Sequence, residues 1–317
     1  MSIVRAIEGF LLAREADGKS KQTIRWYRHN LTQFTSWFER IPHEDHLGAI
    51  QPDHVREFLK YLRESHLLYG DHPFKPQGNK RGCSDRSILG KYAALSAFFN
   101  WAVAEGLFTK SPMSNMRRPK VAKTLVPVFS RDEIVALLTA ADANVDDALA
   151  ARNKAMLMLL LDTGVRLGEL LNMKIDGLTI NNNSIQVTGK GSKDRVVFLG
   201  AQCKKQLWRY VTLFRAEPLG NTSNIFLNKD GTAMRARMIE KTIENIADKA
   251  GIKNVHPHRF RHTAAVQFLR NGGNVFALQK MLGHSSLEMV RYYVELSQDD
   301  VKKVHKTASP ADNWGLK

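Results

Sequence analysis

The stretch SPMSNMRRPKVAKTLVP, residues 111–127, limits what this chain can fold into more than any other. Pro112, Pro119 and Pro127 interrupt any helix or central strand that would cross it, because proline lacks an amide donor and restricts the residue before it. The stretch has no acids, and Arg117, Arg118, Lys120 and Lys123 make it basic. With no sustained hydrophobic period it reads as a connection between domains. A chain of 317 residues is long for one core and comfortable for two. The expected organisation is therefore a domain over residues 1–110, a basic linker over 111–127, and a second domain with a C-terminal tail over 128–317. The linker suits a solvated connection and a segment tracking a phosphate backbone equally well.

The first domain reads as four helices. Ile3, Ala6, Ile7, Phe10 and Leu11 recur at helical spacing up to Ala16, and Gly18, Lys19 and Ser20 end the pattern. A second helix is expected from Lys21 to Phe38, a third from Gln51-Pro52-Asp53 to about Ser65, and a fourth from Asp85 to Glu105. In the second domain Ser130 and Glu133 have the spacing of a capping box, and MLMLLLDTG reads as a buried helix ending at Gly164. Short strands are expected over Ser184–Thr188 and Arg195–Leu199, joined by GKGSKD. Later helices are expected at about Lys204–Arg215, Ala233–Ala250, Pro257–Arg270, Val275–Leu282 and Ser286–Val304. The fold class is mainly α with a small antiparallel β-sheet.

Charge narrows the partner. Lys and Arg outnumber Asp and Glu by 47 to 31, a formal charge of +16, which favours a polyanion bound through phosphate contacts. No run approaches the ~18 apolar residues of a membrane span, and the N-terminus lacks a signal peptide's apolar centre, so a soluble cytoplasmic protein is expected. Cys83 and Cys203 are too far apart for a local metal pair and read as structural.

Four clusters carry candidate chemistry. In TGVRLGEL, Arg166 leaves an apolar helix with Glu169 three residues on, a spacing that also serves an ordinary salt bridge. In VTGKGSKDRVVF, Gly189 and Gly191 flank Lys190 in a hairpin turn. A phosphate-cradling P-loop is excluded, because Ser184 and Gly191 stand where it needs Gly and Ser or Thr. In HPHRFRH, Pro257 opens a helix and places His258 and Arg261 on one face beside its positive end. His258 and His262 have the spacing of helical zinc ligands, but the RFR between them lacks the glutamate of the zinc-protease motif, so no metal is expected. Finally, LGH carries His284, and nine residues later comes Tyr293. At 100° per residue Tyr293 shares the arc of Leu287, Met289, Val290, Val294 and Leu296, whereas Tyr292 falls with Glu288, Arg291 and Glu295.

Singly, each cluster has a structural reading. Together they supply two arginines, two histidines, a lysine and a tyrosine, a set suited to a phosphodiester. Negative charge grows on the non-bridging oxygens during attack, and arginine forks with histidine donors stabilise it. A phenol nucleophile needs a base or a strong positive field, and the leaving 5′ oxygen needs a proton, which a lysine with a lowered pKa can supply. This chemistry calls for no metal or cofactor.

The order and spacing of these motifs closely resemble the tyrosine recombinase (phage integrase) family, over nearly the whole chain. The resemblance implies a core-binding helical domain and an α+β catalytic domain closing as a clamp around double-stranded DNA. It implies that Tyr293 attacks the scissile phosphate to give a 3′-phosphotyrosyl link and a free 5′ hydroxyl. Arg166 and Arg261 would clamp the phosphate with help from His284, His258 would accept the tyrosine proton, Lys190 rather than Lys193 would protonate the leaving oxygen, and Glu169 would support the set. The reaction implied is site-specific integration, excision or resolution by a homotetramer on paired DNA sites. Because the first helix starts near Met1, no arm-type DNA-binding domain is expected. Trp314 is expected to anchor the tail on a neighbouring subunit. Of Lys21, Arg25, Arg81, Lys91, Arg117, Arg118 and Lys120, about half are expected to touch phosphate. A non-catalytic DNA-binding regulator and a topoisomerase of related mechanism are the competing readings.

Overall fold

The computed structural model describes residues 1–42, 46–66, 81–121, 127–144, 146–179, 183–189 and 194–283. The chain divides into two units, Met1–Thr124 and Leu125–Lys317.

The first unit holds helices α1 (Ile3–Ala16), α2 (Lys21–Phe38), α3 (Pro52–Glu64) and α4 (Asp85–Ala104). Ser2, Ser20 and Ser84 cap α1, α2 and α4 through their side-chain oxygens, each such cap being worth about 1 kcal/mol. At α3 Pro52 sits in the first turn, where its missing amide costs nothing. The core is rich in aromatics: Phe10, Phe34, Phe38, Phe58, Phe98 and Phe99 are buried together with aliphatic residues from all four helices. Phe34 meets Phe58 edge-on at 5.2 Å and Phe10 meets Phe98 edge-on at 5.7 Å, the geometry that ring quadrupoles favour.

The second unit begins with α5 (Arg131–Asp142), where Ser130 and Glu133 form the expected capping box. There follow α6 (Asp147–Thr163), α7 (Leu167–Asn172), β1 (Leu178–Thr179), β2 (Ser184–Thr188) and β3 (Asp194–Phe198). After the sheet come α8 (Ala201–Arg209), α9 (Ala236–Ala250), α10 (Pro257–Arg270) and α11 (Val275–Leu282). The three strands form an antiparallel sheet in the order β1-β2-β3. Helix α6 is central, since α5, α8 and α10 all pack on it, and Ala155, Met156, Leu159 and Leu160 are buried there.

The expected helix at Lys204–Arg215 differs from the structure. The α-helix starts at Ala201 and gives way to a π-helical turn over Tyr210–Phe214. Tyr210 is buried there and its hydroxyl accepts the Leu227 amide at 3.2 Å, a tertiary demand that helical periodicity does not reveal. Helix α9 starts at Ala236 rather than Ala233, and the short β1 was not anticipated. The expected helix Ser286–Val304 lies outside the described residues.

Candidate functional site: an arginine cluster at the end of one helix

Two glycines shape the site. Gly164 closes α6 at φ +60°, a left-handed conformation that a side chain resists, and a Cβ there would lie 2.9 Å from Leu282 and 3.2 Å from Ala264. Gly283 closes α11 in the same conformation at φ +64°. Both turns leave carbonyls without helical partners, and arginines fill them. Arg261, on α10 and 3% exposed, donates from Nη1 to the Gly164 carbonyl at 2.6 Å and from Nη2 to the Leu282 carbonyl at 2.9 Å. Arg166, at the N-cap of α7, points Nη1 at the same Leu282 oxygen at 3.4 Å. Two guanidinium groups 95 residues apart in sequence (261 − 166) thus meet on one carbonyl.

Glu169 organises the other side. It is 3% exposed, and Oε1 accepts Arg166 Nη1 at 2.9 Å while Oε2 accepts the Arg166 amide at 2.8 Å. It also accepts a two-pronged contact from Arg195, Nη1 to Oε1 and Nη2 to Oε2, both at 2.8 Å. Burial alone would raise this carboxyl; the hydrogen bonds and charges of Arg195 and Arg166 outweigh it and bring it from 4.5 to about 2. Glu169 is therefore ionised throughout the working pH range.

His258 completes the cluster. It sits in the first turn of α10, and its pKa is held below the usual 6.5 by partial burial and then by the charges of Arg261 and Arg166. The imidazole is consequently neutral near pH 7, with a nitrogen able to accept a proton. The neighbouring His256 has a local task, capping α10 by accepting the Arg259 amide at 3.2 Å.

The structure thus brings together Arg166, Glu169, His258 and Arg261. Lys190, Lys193, His284, Tyr292, Tyr293 and Trp314 lie outside the described residues. Two arginines had no role assigned from sequence. Arg195 sits on β3 with Val197 facing inward and Val196 outward, so strand alternation alone put a cation on the buried face and called for a partner. Arg259 is structural: it binds Glu133, at 2.8 and 2.9 Å, and the Pro127 carbonyl at 3.0 Å, and stacks 3.8 Å from the Phe129 ring centroid. Lys91, one of the candidate phosphate contacts, is 6% exposed and donates to Asn30 at 3.3 Å and to Gln33, so its charge is taken up inside the helical unit. Among the described residues, no group of three or more His, Cys, Asp or Glu side chains is placed to hold a metal ion, and no helix is long and apolar enough to cross a membrane.

Fold and site together define a class: an α+β domain that gathers Arg166, Arg195 and Arg261 around Glu169 and the end of α11, preceded by a small helical domain. Residues 127–299 match the phage integrase family, and residues 7–107 match its N-terminal SAM-like domain. This chain belongs to the phage integrase family, the tyrosine recombinases, enzymes that cleave and rejoin DNA. It is similar to the tyrosine recombinase XerD of Listeria innocua, with 29% identity over 297 residues covering 92% of this chain and 94% of the relative. Its fold is similar to that of the XerH site-specific recombinase in a post-cleavage complex with palindromic difH substrate, with TM-score 0.69, 22% identity, and coverage of 94% of this chain and 82% of that one. A lambda integrase tetramer bound to a Holliday junction has TM-score 0.69 at 17% identity, covering 94% of this chain and 80% of that one.

Proposed function

We propose that this enzyme is a site-specific recombinase that exchanges DNA strands through a 3′-phosphotyrosyl intermediate on Tyr293. The observation that supports this reading best is the meeting of Arg166 and Arg261 on the Leu282 carbonyl, with His258 close enough for both to depress its pKa. A scissile phosphate entering beside them exchanges carbonyl contacts for charge-assisted bonds that strengthen as the pentacoordinate state gathers charge. His258, neutral and near the arginines, takes the Tyr293 proton; Lys190 protonates the leaving 5′ oxygen; His284 adds a donor to the phosphate; Glu169 orients Arg166. The helical unit adds contacts to the same DNA, the basic segment 111–127 tracks its backbone, and Trp314 docks on a neighbouring subunit. Exchange between two duplexes needs four such active sites, hence a homotetramer on paired sites, working in the cytoplasm where the DNA lies. Whether integration, excision or resolution results depends on how the sites are arranged.

The test starts with a target recovered by the wild-type protein from a randomised duplex library. Plasmids carrying two copies should recombine, and Tyr293→Phe should abolish recombination while retaining site affinity, because only one hydroxyl is lost. Relaxation of plasmids that carry no recovered site, without strand exchange, would replace this reading with a topoisomerase.

A further inference from the structure

Arg195 ties Glu169 on α7 to the end of α11. Its Nε donates to the Met281 carbonyl at 3.0 Å, while its two terminal nitrogens each take one oxygen of Glu169 at 2.8 Å. Its side chain is 14% exposed, against 36% for Arg166. All three nitrogens of this guanidinium are committed within the protein, which leaves Arg166 as the partner of Glu169 that faces outward. The Gly283 turn is fitted to it: a Cβ at Gly283 would lie 3.0 Å from Arg195 Nη1 and 3.2 Å from its Cδ. In sequence, Arg195 follows Lys190 by five positions (195 − 190), and the carbonyl it holds is three positions before His284 (284 − 281).

We propose that Arg195 is a positioning residue for the cleavage reaction: by pinning Glu169 to β3 and to the end of α11, it holds Arg166 in register with Arg261. The inference rests on the recombinase reading. It assigns Arg195 no contact with DNA. The planar fork is essential to this role, since a lysine ammonium presents one point charge and cannot satisfy two carboxylate oxygens and a carbonyl in that plane. Removing the fork also removes the main force keeping Glu169 ionised. The buried carboxyl then moves upward, and protonation weakens its hold on Arg166 within an accessible pH range.

The test compares wild type with Arg195→Gln, Arg195→Lys, Glu169→Gln and the double variant R195Q/E169Q, as full-length proteins on a nicked duplex carrying the recovered site. Site affinity and single-turnover formation of the covalent adduct are measured from pH 5 to 9, with thermal unfolding followed in parallel. Arg195→Gln should bind DNA within ~3-fold of wild type but form adduct ~100-fold more slowly, the scale expected when a reacting group is misplaced from a distance. Arg195→Lys should lose ~10-fold and remain competent to fold, so it carries the test if the glutamine variant does not fold. The adduct rate of Arg195→Gln should acquire an acidic limb absent from wild type, and the double variant should be no slower than Glu169→Gln alone. Wild-type rates in both Arg195 variants would overturn the inference while leaving the recombinase reading intact. So would parallel losses of binding, cleavage and folded fraction. No adduct from wild type would overturn both.

Discussion

The two units bury cations in opposite ways. In the helical unit Lys91 is the buried charge, held by the amide oxygens of Asn30 and Gln33 with burial lowering its pKa. The hydrophobic core of the same unit is rich in phenylalanine. In the catalytic unit Arg166, Arg195 and Arg261 crowd one carboxylate and the end of one helix. Such crowding is electrostatically unfavourable unless something compensates, and here Glu169 and the carbonyls of Gly164, Met281 and Leu282 do so. The first unit therefore seats its buried cation among neutral amides, whereas the second gathers its cations around a carboxylate and the carbonyls at helix ends.

The largest effect that would break this contrast is on chemistry. Arg261→Ala should slow adduct formation about 10³-fold, as loss of a preorganised donor to developing charge does, while the helical unit still binds DNA; single-turnover cleavage and a binding titration separate the two. Next is Phe34→Ala, which should cost the helical unit about 3–5 kcal/mol through the cavity it leaves. Urea unfolding should then show a first transition moved to lower denaturant and a second, from the catalytic unit, unmoved. Third is pH. Glu169 has its folded pKa lowered from 4.5 to about 2, so its contribution to stability is complete above 4.5 and lost as pH falls toward 2. His66, His256 and His258 also have lowered values. The unfolded chain protonates them first, so stability should begin to fall below about pH 6.5. Denaturation at stepped pH should show both slopes, and Glu169→Gln should keep the upper one and make the lower one shallower, the remainder coming from carboxyls such as Glu133 whose values are also lowered. The smallest effect is expected for Lys91→Met, within about 1 kcal/mol of wild type, since the lost amide partners are offset by relief of a buried charge. A loss above about 3 kcal/mol would mean that the helical unit depends on its buried cation as the catalytic unit does.

Much of this was legible in the sequence wherever local signals decide structure. Helices α1 and α2 fall where Ile3, Phe10 and Leu11 and then the break at Gly18, Lys19 and Ser20 put them, and Gly164 ends α6 as its position after an apolar run implied. The pairing of Glu169 with Arg166 followed from spacing alone. What spacing could not supply was anything fixed by tertiary contact. The π-helical turn exists because Tyr210 serves Leu227. Lys91 reads on paper like any basic helix face until α2 is seen to cover it. Alternation puts Arg195 on the inward face with Val197, but its partners on α7 and α11, 26 and 86 residues away, could not be named from spacing.

The most direct measurement is the chemical identity of the DNA-linked residue. The wild-type protein, trapped on a nicked duplex carrying its recovered site and digested with protease, should yield a peptide joined through Tyr293 to a 3′ phosphate when sequenced by mass spectrometry. Attachment at Tyr292 would contradict the helical phase, and attachment through a serine or to a 5′ phosphate would contradict the chemistry assigned to the arginine cluster.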